Sequence, residues 1–297
     1  MNLQTDSFLE YLKSERNYSP ATIESYAKDL AEFRNFLEGQ RLEPQWADVK
    51  ADDVREWVIY MLDEQKLTAS SVNRKLSALR TCYKYLRKME VVKANPMEKV
   101  VAPKKKRPLP YFVRESDMDK LLELTAEDKT FKGVRDRLIL LMFYETGIRR
   151  AELLGLTDAS VDLKAKQIKV TGKRNKQRIV PFGDELEAEL LAYLDFRKTK
   201  TGLSNAPALF ITEEGKPLNE AQVSRIVKDN LSMVTTMKKR SPHVLRHSFA
   251  TAMLNNKADL TSIQKLLGHE SVATTEVYTH VSFEDLKNEY KNAHPRK

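Results

Sequence analysis

Residues 136–147 read DRLILLMFYETG, and this stretch decides how the second half of the chain folds. Its apolar side chains would lie on nearly all sides of a helix, so it has no clear polar face. A helix that is apolar on all sides is normally buried. Glycine is the residue that most often ends a helix. The pattern therefore predicts a central buried helix that ends at Gly147, with the other elements packed around it.

An arginine follows this helix almost at once. Residues 146–156 read TGIRRAELLGL, which places Arg149 two residues after Gly147. A charge at the end of a buried helix is costly unless it meets a counter-ion or an anion. Glu152, three residues further on, could orient this arginine. The segment therefore indicates either a structural Arg–Glu pair or an anion site.

The segments on both sides of the central helix predict a mainly α chain with a small β-hairpin or sheet. Four stretches of the first hundred residues repeat apolar side chains every three or four positions, as helices do. Residues 167–171 and 178–181 alternate like short strands joined by a polar turn. Further helices are expected around 184–197, 219–230, 243–255, 259–267 and 283–292. We expect a helical domain at 1–98, a linker at 99–110 and a mixed, mostly helical domain at 111–297.

The predicted linker is basic and rich in proline. Residues 95–110 read NPMEKVVAPKKKRPLP, and prolines bracket its basic run. Proline excludes a stable helix interior here. An extended basic segment between two domains could wrap around a polyanion. The alternative is a basic loop without a role. The basic run consists of Lys104, Lys105, Lys106 and Arg107.

The charge of the chain is unevenly distributed. The net charge is +9. Residues 1–65 hold 7 Lys and Arg against 14 Asp and Glu, whereas residues 66–107 hold 13 against 2. Segregation of this kind favours a nucleic-acid partner over a merely basic protein.

Several classes of protein are disfavoured by the sequence. A single cysteine, Cys82, provides neither a disulfide framework nor a cysteine zinc site. The chain has no apolar run long enough for a membrane helix, and its N-terminus lacks a signal-peptide core. There is also no convincing cluster of acidic metal ligands. We therefore expect a cytoplasmic protein that binds no metal, cofactor or membrane.

The candidate catalytic residues fall into separate segments of the second domain. The turn TGKRNKQR, residues 171–178, carries Lys173 and Arg174 and is either a solvated hairpin or a lysine brought to a phosphate. The segment SPHVLRHSFATAML, residues 241–254, opens a helix with His243 and Arg246 one turn apart. Helix N-termini favour anions.

The segment LLGHESVATTEVYTH, residues 266–280, adds His269 and Tyr278. A tyrosine in such a place is more often a core residue than a nucleophile. Taken with the other candidates, however, it completes a set. Arginines can neutralise a phosphodiester, a lysine can protonate a leaving alkoxide, and histidines can assist proton transfer. A tyrosine hydroxyl can attack phosphorus, and fixed cations can stabilise the charge that a metal would otherwise hold.

The order of these motifs resembles the tyrosine recombinases of the phage-integrase type, and most closely the Xer-type site-specific recombinases. The residues that carry the resemblance are Arg149, Lys173, His243-Val-Leu-Arg246, Leu-Gly-His269 and Tyr278. The resemblance covers almost the whole chain, because the stretch FLEYLKSERNYSPATIESYAKDL is similar to the family's helical core-binding domain. It implies a core-binding domain at 1–98 and a catalytic domain with a C-terminal tail helix at 111–297.

The resemblance also implies a reaction and its residues. Tyr278 would attack the scissile phosphate to form a 3′-phosphotyrosyl link, with Lys173 as the general acid and Glu152 in support. The remaining catalytic residues, which would bind and activate the phosphate, are Arg149, His243, Arg246 and His269. We expect DNA contacts, on charge alone, from Arg74, Lys75, Arg80, Lys84, Lys104, Lys105, Lys106, Arg107 and Arg174.

The implied assembly is a tetramer on double-stranded DNA that exchanges strands through a Holliday junction. Its role would be the resolution of chromosome dimers on the nucleoid, with a paralogous recombinase and a DNA translocase as partners. Three alternatives stay open: an integrase of a mobile element, a type IB topoisomerase, and a DNA-binding protein without activity. Arg150 departs from the family pattern and could share the role of Arg149 or contact DNA.

Overall fold

The computed structural model describes residues 3–40, 44–104, 111–172, 175–201, 208–268 and 283–296. The chain divides into two compact units, Met1–Pro108 and Leu109–Lys297. Helices dominate both units, and the described strands form a small sheet in the second, which confirms the predicted mainly α fold class. Within the described ranges, no helix is long and apolar enough to cross a bilayer.

Four helices build the first unit: α1 (Leu3–Ser14), α2 (Pro20–Glu38), α3 (Ala51–Asp63) and α4 (Ala69–Lys88). Side chains at two of their N-termini satisfy backbone donors that a helix leaves unpaired. The Ser19 hydroxyl accepts from the Thr22 N–H at 3.3 Å, and the Thr68 hydroxyl accepts from the Ser71 N–H at 3.3 Å. The apolar stripes of the four helices meet in one core, as their periodicity predicts.

One buried side chain and two hydrogen-bonded carbonyls attach residues 99–104 to the first unit, although most side chains of this segment are exposed. Val100 is buried in the core of that unit. The Lys99 carbonyl accepts from Arg55 at 3.0 Å, and the Pro103 carbonyl accepts from Asn73 at 2.8 Å. The apolar side chain and these donors hold the segment in place. Residues 105–110, the rest of the predicted linker, lie outside the described residues.

The second unit is arranged around one helix, α6 (Phe131–Thr146), in which residues 138–146 are all buried. This confirms the central helix predicted from its apolar sequence. The other helices of this unit are α5 (Glu115–Ala126), α7 (Arg150–Leu154), α8 (Asp184–Thr201), α9 (Glu220–Ser232), α10 (Pro242–Asn255), α11 (Leu260–Leu267) and α12 (Phe283–Ala293). The sequence analysis gave no prediction for α5 and α7.

An antiparallel sheet lies beside these helices, with β1 (Val161–Asp162), β2 (Gln167–Thr171) and β3 (Gln177–Pro181) in sequential order. The strands β2 and β3 are the two predicted ones. The strand β1 was missed because two residues are too few to show alternation. In the β2–β3 ladder Val170 pairs with Arg178, and the buried Val180 follows two residues later. Arg178 therefore shares a face of the sheet with a core residue.

Candidate active site

The end of the central helix delivers the first arginine of the site. Gly147 ends α6 in the left-handed conformation, with φ of 58°, and its N–H donates to the Phe143 carbonyl at 3.1 Å. The chain then turns through the buried Ile148 into α7, whose N-cap residue is Arg149. The Arg149 N–H donates to the Glu152 carboxylate at 2.7 Å. A glycine cap and a short helix thus fix the backbone of Arg149.

Glu152 is a buried carboxylate shared by two arginines. Arg149 donates to its Oε1 from Nη1 at 2.8 Å. Arg178 binds both of its oxygens, from Nη1 at 2.7 Å and from Nη2 at 2.9 Å. Burial alone would raise the pKa of Glu152, but the hydrogen bonds and charges of Arg178 and Arg149 outweigh burial and lower it to about 2. The carboxylate is therefore ionised at any pH where the protein works.

Three arginines meet the C-terminus of α11. Arg178 Nε donates to the Leu266 carbonyl at 2.7 Å, and Arg246 Nη2 donates to the Leu267 carbonyl at 2.6 Å. Arg149 Nη2 donates to the Gly268 carbonyl at 2.8 Å. The last carbonyls of a helix lack intrahelical donors and carry the negative end of its dipole. Each of these consecutive carbonyls receives one guanidinium.

Arg246 also connects α10 to the end of α6, since its Nη1 donates to the Gly147 carbonyl. Burial, together with the neighbouring charges of Arg149 and Arg178, lowers the pKa of Arg246 to about 10. We call Arg149, Arg178, Arg246 and Glu152 the arginine cluster. It carries three positive charges and one negative charge, a net charge of two. A partly buried surplus of this kind favours an anion.

His243 lies at the start of α10, after Pro242 in the first turn. Its side chain is exposed, unlike that of Arg246 one turn later, which is buried. Partial burial lowers the pKa of His243, and the positive charges of Arg246 and its neighbours lower it further. The imidazole is therefore neutral near pH 7 and able to accept a proton.

The described part of the chain stops beside the cluster at two glycines. A Cβ at Gly172 would meet Glu152 Oε1 at 3.3 Å, and a Cβ at Gly268 would meet Arg178 Nη1 at 3.1 Å. The next residues in the sequence are Lys173 and His269. The predicted site residues that lie outside the described residues are Lys173, Arg174, His269 and Tyr278.

Arg150 has a different environment from Arg149. Its Nη1 donates to the Ser224 hydroxyl at 2.7 Å, and its Nη2 pairs with Glu220, both on α9. The side chains of adjacent residues at the start of a helix point in different directions, so Arg149 reaches Glu152 and Arg150 does not. In this structure Arg150 stands apart from the arginine cluster.

The cations proposed as DNA contacts on α4 differ in availability. Lys75 is a correction, because it is buried and its ammonium pairs with Asp29 and with Glu32. Arg74 is half-exposed and also pairs with Asp29. A buried ammonium held by two carboxylates cannot reach a phosphate, so we remove Lys75 from the proposed contacts.

Lys84 and Lys104 are exposed and Arg80 is half-buried. None of these three has an ion pair with another described residue. Lys105, Lys106 and Arg107 lie outside the described residues. Of the proposed DNA contacts that lie within the described residues, Arg80, Lys84 and Lys104 therefore have no carboxylate partner among those residues to release before they bind a phosphate.

Arg178 is the site residue that the sequence analysis missed. It was counted only as one charge of a basic turn. A signal was present in the sequence. Arg178 and the apolar Val180 are two residues apart in a predicted strand, so the charge of Arg178 falls on the core face of that strand. A charge in that position needs a buried partner. The partner, Glu152, could not be identified from spacing because it is 26 residues away.

Comparisons with known proteins match both units of the chain to one family. Residues 111–285 match the model of the phage integrase family, and residues 5–90 match that of the phage integrase N-terminal SAM-like domain. Tyrosine recombinase XerC of Staphylococcus epidermidis is 38% identical over 98% of this chain and 97% of that protein. Tyrosine recombinase XerC of Staphylococcus aureus is 39% identical over 100% of this chain and 98% of that protein.

Two solved structures share the fold. The XerH site-specific recombinase bound to its difH substrate aligns with a TM-score of 0.69 and 24% identity, over 96% of this chain and 82% of that chain. The Tn1549 transposon integrase in complex with circular intermediate DNA aligns with a TM-score of 0.72 and 20% identity, over 96% and 98% of the chains. The chain therefore belongs to the phage integrase family, the tyrosine site-specific recombinases.

Proposed function

We propose that this protein cuts and rejoins DNA through a phosphotyrosyl bond at Tyr278, with the arginine cluster as its phosphate site. The observation that supports this most is the net charge of two on a partly buried cluster of three guanidiniums and one carboxylate. A scissile phosphodiester supplies a negative charge, and its transition state supplies more. Guanidiniums already held by backbone and carboxylate need little reorganisation when that charge develops.

The arginines of the cluster divide the work. The Arg149 side chain is 31% exposed, twice the 15% of Arg178, so Arg149 can reach an arriving phosphate. A guanidinium has five N–H donors, and the bonds to Glu152 and Gly268 leave several of them for phosphate oxygens. Arg246 binds the second non-bridging oxygen with the N–H groups that its bonds to the Gly147 and Leu267 carbonyls leave. His243 and His269 complete the phosphate site.

The proposed reaction transfers the scissile phosphoryl group from a 5′ oxygen of DNA to the Tyr278 hydroxyl. The Tyr278 hydroxyl attacks phosphorus and loses its proton to a neutral imidazole, for which His243 is suited by its lowered pKa. The bond from phosphorus to the 5′ oxygen breaks, and that oxygen takes a proton from Lys173. The DNA then carries a 3′-phosphotyrosyl link and a free 5′-hydroxyl. Attack by a 5′-hydroxyl of another strand reverses these steps and rejoins the DNA.

The proposed assembly is a tetramer on two double-stranded sites, which exchanges strands in pairs through a Holliday junction. The relatives with 38% and 39% identity are named tyrosine recombinase XerC, and the alignments cover 97% and 98% of those proteins. This likeness favours chromosome dimer resolution over mobile-element integration. We propose a paralogous recombinase as partner, a DNA translocase as trigger, and action on chromosomal DNA in the cytoplasm.

Covalent trapping on a nicked duplex tests the chemistry. The protein is incubated in EDTA with a duplex carrying the host's dimer-resolution site, alone and with the paralogous recombinase, and the products are separated on a denaturing gel. We expect a protein–DNA band that Tyr278→Phe abolishes. Arg149→Ala should slow its formation by roughly 100-fold or more while DNA affinity stays within about threefold.

Two outcomes would contradict the proposal. A covalent band that persists in Tyr278→Phe would assign the nucleophile elsewhere. Specific DNA binding without any covalent band, even with the partner present, would make the chain a binding protein. If the Tyr278-dependent band forms only when the paralogous recombinase is also present, this protomer needs activation by its partner, as the tetramer predicts.

A further inference from the structure

Arg178 connects the three parts of the candidate site that carry catalytic residues. It lies at the start of β3, directly after the turn that carries Lys173. Two of its nitrogens bind both oxygens of Glu152, and its Nε binds the Leu266 carbonyl near the end of α11. Glu152 in turn binds Arg149, and α11 leads to His269. One guanidinium therefore joins the hairpin, the Arg149 turn and the α11 terminus.

Its geometry suits a residue that orients others rather than one that binds substrate. All three of its nitrogens have protein acceptors, whereas Arg149 uses only two nitrogens of its side chain. Its side chain is 15% exposed. The backbone packs closely around it, because a Cβ at Gly268 would lie 3.1 Å from its Nη1.

We propose, on the basis of the proposed function, that Arg178 is a positioning residue for the cleavage reaction. By holding Glu152 through both oxygens, it fixes the carboxylate that aims the Arg149 guanidinium at the scissile phosphate. It also fixes the α11 terminus on which Arg149 and Arg246 rest. Arg178 itself does not contact the substrate, and it acts through Glu152, Arg149 and Arg246.

Removing the negative charge of the substrate tests this proposal. In a methylphosphonate a methyl group replaces one non-bridging oxygen, so the scissile linkage is neutral. The rate of cleavage then depends less on correctly oriented guanidiniums. Single-turnover cleavage is measured for wild type, Arg178→Lys, Arg149→Ala and Tyr278→Phe on phosphodiester and methylphosphonate duplexes of one sequence. Lysine keeps the charge of Arg178 but cannot bind both Glu152 oxygens and Leu266 together.

Arg197→Lys is the matched control. Arg197 is also buried in the second unit, where it pairs with Asp158 and donates to the Leu209 carbonyl at 3.0 Å, and both of these partners lie outside the arginine cluster. Its substitution should lower the thermal midpoint about as much as Arg178→Lys does and leave cleavage near wild type. Loss of stability is thereby separated from loss of positioning.

On the phosphodiester we expect Arg178→Lys to cleave roughly 100-fold more slowly than wild type, with DNA affinity within about threefold. On the methylphosphonate its rate should return to within about fivefold of wild type, as should that of Arg149→Ala. An equal defect on both substrates, or wild-type cleavage of the diester by Arg178→Lys, would overturn the role. Absence of a Tyr278-dependent product from wild type would instead overturn the proposed function itself.

Assays run well below the melting midpoint of each variant. If Arg178→Lys unfolds at the assay temperature, Arg178→Gln replaces it, because glutamine donates from a single nitrogen and cannot bind both Glu152 oxygens and Leu266 together. The same pattern across the two substrates is expected, and an equal defect on both would again overturn the role.

Discussion

At the scale of single residues, Gly147 shows how closely the core and the candidate site depend on each other. Its positive φ of 58° ends the central helix, and its carbonyl accepts a hydrogen bond from Arg246. A Cβ there would lie 2.6 Å from Phe249 and 2.8 Å from Leu267. Glycine is therefore required both by the backbone conformation and by the space.

Gly147→Ala should destabilise the protein by about 2–4 kcal/mol, the sum of a left-handed alanine and an overpacked contact. Gly155→Ala is the matched control, because Gly155 has φ of −86° and its nearest contact would be 3.5 Å. That variant should stay within about 0.5 kcal/mol of wild type. Urea unfolding of both variants decides, and equal midpoints would contradict the prediction.

At the scale of elements, α12 places buried polar groups against the central helix. The Tyr290 hydroxyl donates to the Glu145 carboxylate at 3.1 Å, and the Gly183 N–H donates to the same oxygen at 3.0 Å. The His294 ring stacks on Tyr290 at 4.9 Å, and its Nε2 lies 3.3 Å from the Tyr144 carbonyl. The docking of α12 should therefore depend on pH.

Burial raises the pKa of Glu145 to about 8 and lowers the pKa of His294 to about 4. Glu145 binds its proton more tightly in the folded state, so its contribution to stability falls as pH rises from about 4.5 to 8. His294 binds its proton more weakly in the folded state, so its contribution rises with pH between about 4 and 6.5. Above pH 6.5 only the fall caused by Glu145 remains.

The free energy of unfolding should fall by about 2 kcal/mol between pH 6.5 and 8, and Glu145→Gln should remove that fall because glutamine does not titrate. His294→Gln should keep the fall and lose the rise at lower pH. Urea unfolding at a series of pH values measures both. A wild-type slope in Glu145→Gln would show that another group titrates.

At the scale of the whole molecule, the charge distribution predicts how the protein meets DNA. The exposed Lys84 and Lys104 and the half-buried Arg80 belong to the basic part of the first unit. Each phosphate contact releases counter-ions, so binding should weaken steeply as salt rises.

Lys84→Ala should reduce the slope of log affinity against log salt by about 1, and Arg80→Ala should act similarly. Lys75→Met should lower stability and leave the slope unchanged, since Lys75 is buried against Asp29 and Glu32. Binding titrations at four salt concentrations distinguish these cases. A reduced slope in Lys75→Met would return that residue to the DNA contacts.

Local pattern was enough to predict most elements of this fold. Helical periodicity of 3.6 and strand alternation of 2 are properties of neighbouring residues, so the helices other than α5 and α7, and the strands β2 and β3, could be recognised from sequence. The two-residue β1 and the short α7 carry too few positions for a period to appear. Segment 99–104 looked like a linker because Val100 becomes a core residue only against the folded first unit.

The sequence by itself determined that the chain is mainly helical, that it meets a polyanion, and which residue types could perform phosphoryl transfer. The tertiary structure alone decided that Arg178 joins Arg149 and Arg246, and which groups these arginines bind. Arg149 meets Gly268 across 119 residues, Arg246 meets Gly147 across 99, and Arg178 meets Leu266 across 88. Such partners have no spacing signal, because packing of distant elements brings them together. The same packing separated Arg150 from Arg149 and buried Lys75. Whether a charged side chain can bind a phosphate depends on the neighbours that folding brings to it.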